Sequence, residues 1–381
     1  MRKINLFYFV TAILFGLAIS FSSCTKEGPA GPAGANGTDG TNGVDGSDGT
    51  PGVDANTHCL NCHTAMKMGE IDDAFASTPH VGGSSWARGT SGSCGACHSH
   101  DGYVEYTRSG EMIGAAVATP LVCGSCHGDH ASLEDDATAP MREVGPVVAI
   151  VDETGETVFD HGMGNICATC HQSRREGSSY DNATEDMTYE RNFTGDDYEV
   201  YLNAAVGPNG SITEDGDTLR VVFDVPTSNV YVNSTHAGPH HGPQSNVFAG
   251  IAGYPENGMV FDRDHHTDCA GCHLYNEEGY GHTFEPDVTG CNECHGEAFD
   301  MGAMQADVVA RMTVIGGTLA AIHAIHFDEE FAPHPMYASL TRDQFQAFWN
   351  FMCIYEDASA GIHNPDYTEQ MLTVAENALG L

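Results

Sequence analysis

Lysine is nearly missing from this chain. Only Lys3, Lys26 and Lys67 occur in 381 residues, and 14 Lys plus Arg face 53 Asp plus Glu, a net charge of −39. A basic face for nucleic acid is therefore excluded, since binding phosphates needs clustered cations. Tryptophan is scarce, at two residues. Cysteine, at 14 residues, falls well short of the roughly 8–10 % that marks a small disulfide-knitted scaffold. Two residue types are in excess: 45 Gly and 21 His.

The N-terminus reads as an export signal. Arg2 and Lys3 precede an apolar run from Ile4 to Phe21, and Ser22-Ser23-Cys24 follows. This junction resembles the lipobox of bacterial lipoproteins, which implies a signal peptide over 1–23 and a lipid-anchoring thiol at Cys24. The alternative is a plain transmembrane helix. Both readings put the remaining chain outside the cytoplasm, on a membrane anchor. Thr25, Lys26 and Glu27 are compatible with the outer membrane, on its periplasmic face or at the cell surface.

Residues 24–55 form the anchor and a spacer. Glycine recurs at every third position from Gly28 to Gly52, the collagen register. Only Pro29, Pro32 and Pro51 stiffen it, and Asp39, Asp45 and Asp48 repel one another, so a flexible leash is expected rather than a trimer. From 56 to 300 the chain is loop-rich, with a hairpin expected at 147–150 and 157–159, a strand at 219–225 and a Cys-free insertion over about 176–234. From 301 to 381 the texture turns helical. Val308, Met312, Ile315, Leu319 and Ile322 share one helical face, Thr341 and Gln344 form a capping box before Phe345, and a last helix is expected over 367–379.

Twelve of the cysteines fall into C-x-x-C pairs, each followed at once by histidine. They are Cys59, Cys62 and His63; Cys94, Cys97 and His98; Cys123, Cys126 and His127; Cys167, Cys170 and His171; Cys269, Cys272 and His273; Cys291, Cys294 and His295. Six repeats are far beyond chance at this composition. The spacing suits c-type haem, with two thiols for the two vinyl groups and the next side chain as proximal iron ligand. Paired C-x-x-C motifs also build zinc sites, but a Cys₄ site gives no reason for histidine at the fifth position six times. Disulfides leave the histidines unexplained as well. Six covalent haems are the expected cofactors, and the core should be packed with haem, with helices and a few short strands around it.

The second axial ligand decides between electron transfer and catalysis. Fifteen non-proximal histidines are more than the six irons need. The pool by context is His80, His100, His130, His236, His240, His241, His265, His266, His282, His323, His326 and His363. Within it His80, His130, His241, His266, His282 and His363 are the six candidate distal ligands. Methionine ligation should be minor.

At these residues the sequence resembles the multihaem cytochrome c superfamily, which includes nitrite reductases, hydroxylamine oxidoreductases and small tetrahaem carriers. Besides the haem motifs, the likeness rests on P-H-H-G-P-Q at 239–244, G-H-T-F-x-P at 281–286 and G-I-H-N-P at 361–365. The resemblance implies that His363 is a distal ligand and that His282 is a distal ligand or a substrate-pocket residue. It also implies a possible calcium ion, for which solvated acidic surface is the better reading, and possible homo-oligomers through the C-terminal helices. One departure matters. The nitrite reductases hold their catalytic haem by C-x-x-C-K, and all six motifs here end in His.

The expected function is an exported, membrane-anchored hexahaem cytochrome passing single electrons to redox protein partners or an extracellular acceptor. The alternative is a reductase of nitrite, hydroxylamine or a sulfur oxyanion, with one open haem and His282 as its catalytic residue. A third reading is a surface filament wired by haems.

Overall fold

The computed structural model describes residues 63–129, 140–151, 157–240, 242–255, 268–275, 281–296 and 300–381, with side chains 288, 293 and 294 excepted. Cys24, Cys59, Cys62, His130, His241 and His266, along with the Gly-X-Y spacer, lie outside the described residues, as does the Cys294 side chain. No described helix is long and apolar enough to cross a membrane.

Short elements dominate the first two thirds of the described chain. Helix α1 (Ala65–Ala76) is followed by one-turn to three-turn helices: α2 (Gly95–His98), α3 (His100–Ser109), α4 (Cys123–Cys126) and α5 (Asn165–Ala168). Between α4 and α5 the hairpin of β1 (Val147–Val148) and β2 (Val158–Phe159) pairs antiparallel, Val147 opposite Phe159. Val147, Ala149, Phe159 and Ala168 make a small apolar cluster that fastens this hairpin to α5 and hence to the fourth C-x-x-C-H motif.

The expected insertion carries a three-stranded sheet. Strands β3 (Met187–Phe193), β4 (Ser211–Asp215) and β5 (Thr218–Val225) form an antiparallel sheet in the order β3-β5-β4, with the short helix α6 (Asp196–Val200) between β3 and β4. Alternation along β5 buries Leu219, Val221, Phe223 and Val225 on one face, as a two-residue period requires. Tyr201, Tyr231 and Met336 complete that second core.

The largest side-chain core belongs to the C-terminal part. Strand β6 (Asn229–Val232), helix α7 (Gln244–Ala249), α8 (Cys269–His273) and α9 (Val288–His295) lead to the 21-residue α10 (Met301–Ala321). A second hairpin, β7 (Ile325–Phe327) with β8 (Pro333–Pro335), precedes β9 (Ala338–Thr341), which pairs with β6. Then come α11 (Arg342–Asp357) and α12 (Pro365–Leu379).

Both last helices start where sequence dictates. Thr341 and Gln344 close a reciprocal capping box on α11. Asn364 caps α12 ahead of Pro365, whose missing N–H costs nothing in the first turn. Phe345, Phe348, Trp349 and Met352 of α11 pack against Ile315 and Leu319 of α10, Leu372 and Ala375 of α12, and Val230 and Leu340 of the β6–β9 pair. The Trp349 indole N–H donates to Ala252 O at 3.0 Å, and the buried Cys353 thiol donates to the same carbonyl at 3.1 Å. The apolar faces of the C-terminal helices thus share a core of side chains.

Candidate haem-binding site

Each described C-x-x-C-H motif sits on about one helical turn. The His98 N–H bonds Cys94 O at 3.0 Å, His127 bonds Cys123 O at 2.9 Å and His171 bonds Cys167 O at 2.9 Å, while the fifth motif is α8 itself and the sixth ends α9. On such a turn residues i, i+3 and i+4 share one face, so both cysteines and the following histidine point the same way. That is the disposition two thioethers and one proximal imidazole require of a single porphyrin.

The turns also pack on one another. The Cys97 thiol neighbours that of Cys170, and the Cys167 thiol neighbours that of Cys269. Cys97 Sγ lies 3.8 Å from Thr169 O and Cys170 Sγ 3.5 Å from Ala96 O, so the second and fourth motifs meet reciprocally. The contact with Cys97 and burial push the Cys170 thiol well above its ordinary range, and the contact with Cys269 and burial do the same to Cys167. Gly95 inside the second motif is forced by close approach: a Cβ there would stand 2.0 Å from Ile113 O.

Four proximal imidazoles each face a second histidine. Ring centroids are 6.5 Å apart for His98 and His240, 6.2 Å for His127 and His282, 6.0 Å for His171 and His80, and 6.1 Å for His273 and His363. An iron between two imidazoles sets about 2 Å to each nitrogen and about 1 Å more to each ring centre, so roughly 6 Å overall. All four separations match that span.

Hydrogen bonds at the far side of the rings agree. His127 Nδ1 meets Pro140 O at 3.3 Å, His273 Nδ1 meets Phe284 O at 2.7 Å, and His363 Nδ1 meets Asp357 Oδ1 at 2.7 Å. Those oxygens can only accept, so Nδ1 carries a proton, which leaves Nε2 as the nitrogen available to a metal. His171 Nδ1 meets Gln244 Oε1 at 3.1 Å, and the Gln244 amide N–H groups are already committed to Glu356 O and Asp357 O. Burial, reinforced by His171, lowers His80 to about 4. Burial lowers His127 and His171 as well. Neutral imidazole is the form that ligates iron.

Among the described residues no three His, Cys, Asp or Glu side chains gather where they would share an ion.

Of the candidate distal ligands, His80, His282 and His363 each stand opposite a proximal ring. His98 is faced by His240, a member of the wider histidine pool, while the candidate His241 lies outside the described residues. His240 has a left-handed backbone, φ 80°, between Gly238 and Gly242, and this turns its ring toward His98. Others in the pool have different neighbours: His100 Nδ1 bonds Ser125 Oγ at 2.9 Å, and His326 stacks on His334 across the β7–β8 hairpin at 5.3 Å. Asp357, Gln244 and Phe284, whose bonds orient the rings, carry no role in the sequence. Gln244 and Phe284 stand there only as members of P-H-H-G-P-Q and G-H-T-F-x-P; the φ of 58° at Phe284 aims its carbonyl at His273 while its ring meets His80 at 4.9 Å.

No protein-family model and no curated protein matches the chain. Two solved structures align with it. The outer cell wall cytochrome OcwA does so at TM-score 0.44 and 17 % identity, over 81 % of this chain and 50 % of its own. An undecahaem cytochrome from the S-layer of Carboxydothermus ferrireducens aligns at TM-score 0.37 and 16 % identity, over 84 % of this chain and 37 % of its own. The chain spans half or less of either structure's length.

Proposed function

We propose that this chain is an exported hexahaem c-type cytochrome that carries single electrons to redox protein partners or an extracellular acceptor, tethered to a membrane through Cys24. The observation that carries the reading is the set of four imidazole pairs at 6.0–6.5 Å, each with one member on a C-x-x-C-H turn. Haem bound there supplies a one-electron iron couple. The residues do the rest. Cysteine pairs on one face of a turn would fix each attachment point, and the opposed imidazoles would hold the haem iron between them. Carbonyl, amide and carboxylate oxygens pin the rings in place.

His282, the residue a reductase would place in a substrate pocket, stands opposite His127 at 6.2 Å, an arrangement that favours a carrier. The test is low-temperature electron paramagnetic resonance of the oxidised, haem-loaded protein. Six low-spin centres and no stoichiometric high-spin iron are expected. One high-spin iron per chain would replace the carrier with a reductase and make nitrite, hydroxylamine and sulfite the substrates to assay.

A further inference from the structure

The neighbouring fourth and fifth centres differ in what their imidazole protons meet. At the fifth, His273 Nδ1 donates to Phe284 O at 2.7 Å and His363 Nδ1 donates to the carboxylate of Asp357 at 2.7 Å. Asp357 is only 2 % exposed, and its other oxygen accepts from the Ser359 hydroxyl. The turn that brings His363 back onto it is costly: Ala358 and Ala360, neither a glycine, adopt φ 59° and 49°, and Gly361 adopts 95°. At the fourth centre the acceptors are weaker. His171 Nδ1 meets a neutral amide oxygen, Gln244 Oε1, at 3.1 Å, and His80 Nδ1 is buried without a hydrogen-bond partner.

One residue touches both centres. The main-chain carbonyl of Asp357 holds the Gln244 amide that receives the His171 proton, while its side chain receives the His363 proton. A hydrogen bond from a ligating imidazole to a carboxylate makes the ring a stronger donor, and charged acceptors act about twice as strongly as neutral ones. Both the stronger donor and the nearby negative charge favour ferric over ferrous iron.

We infer that Asp357 is a positioning residue that sets potential, making the His273–His363 centre the lower of this adjacent pair and leaving the His80–His171 centre the higher. This rests on the reading of those rings as axial ligands. The pair is then ordered by its hydrogen-bond acceptors, although both centres carry two imidazoles.

The experiment is a potentiometric titration of full-length, haem-loaded protein, followed by electron paramagnetic resonance. His363→Met and His80→Met identify the component belonging to each centre by the low-spin signal each removes. In the unsubstituted protein the His363 component should titrate below the His80 component. Asp357→Asn should move the His363 component upward and change its g-values, with the other components unmoved, and Asp357→Glu should restore it. Gln244→Glu should move the His80 component downward, and decides the matter if Asp357→Asn fails to accumulate. A reversed order, or a His363 component indifferent to Asp357→Asn, would overturn the assignment to Asp357. Loss of low-spin signals in the unsubstituted protein would instead sink the axial-ligand reading beneath it.

Discussion

The imidazole of His240 faces that of His98 at a centroid separation of 6.5 Å, on a loop whose next residue is also histidine. Substituting His240 by Met should change one low-spin signal and one reduction potential, with covalent haem content unchanged by intact mass. An unchanged spectrum would remove His240 from the ligand set.

The second haem turn tolerates no side chain at Gly95. A Cβ there would meet Ile113 O at 2.0 Å, and main-chain atoms cannot swing aside as a flexible side chain would. Gly95→Ala should destabilise the haem-loaded protein by about 1–3 kcal/mol in chemical denaturation. Gly317→Ala in α10, where nothing lies within 4 Å of the added carbon, serves as the control.

Trp349 is fully buried at the centre of the C-terminal core and its indole N–H is bonded. Trp349→Ala should cost about 3–5 kcal/mol of unfolding free energy. Trp349→Phe should cost less, because much of the apolar volume remains, though Ala252 O then loses the indole donor. Guanidinium titrations followed by far-ultraviolet circular dichroism measure both.

Arg311 of α10 clamps α12 through Glu376, with Nε to Oε1 at 2.7 Å and NH2 to Oε2 at 2.8 Å. The guanidinium holds the Glu376 carboxyl below its usual range. A depressed carboxylate contributes stability above its unfolded pKa of about 4.3 and loses it as pH falls through the lower folded value. Glu376→Gln should therefore cost about 1 kcal/mol at pH 7 and progressively less below pH 4. Thermal unfolding at pH 7 and pH 3 reads the difference; an equal loss at both would contradict the clamp.

What could be read from the chain was local. C-x-x-C-H is a five-residue pattern, so the attachment turns needed no tertiary information. The same holds for the Thr341–Gln344 capping box and the β1–β2 hairpin, whose signals lie within a few residues. The distal partners were legible only as a pool, since His80 and His171 meet through the packing of distant segments. Asp357 gave no signal at all: an acidic residue closing an aromatic helix looks like solvated surface until the turn at 358–361 folds His363 onto it. The side-chain core around Trp349 was visible as helical periodicity, but periodicity does not say whether a porphyrin or a neighbouring helix covers the apolar face.

The packing of the attachment turns makes neighbours of motifs far apart in sequence. Cys97 Sγ lies against Thr169 O and Cys170 Sγ against Ala96 O, so the second and fourth turns share one wall. A substitution that shifts either turn should therefore be felt at both, and the two attachment points behave as one mechanical unit.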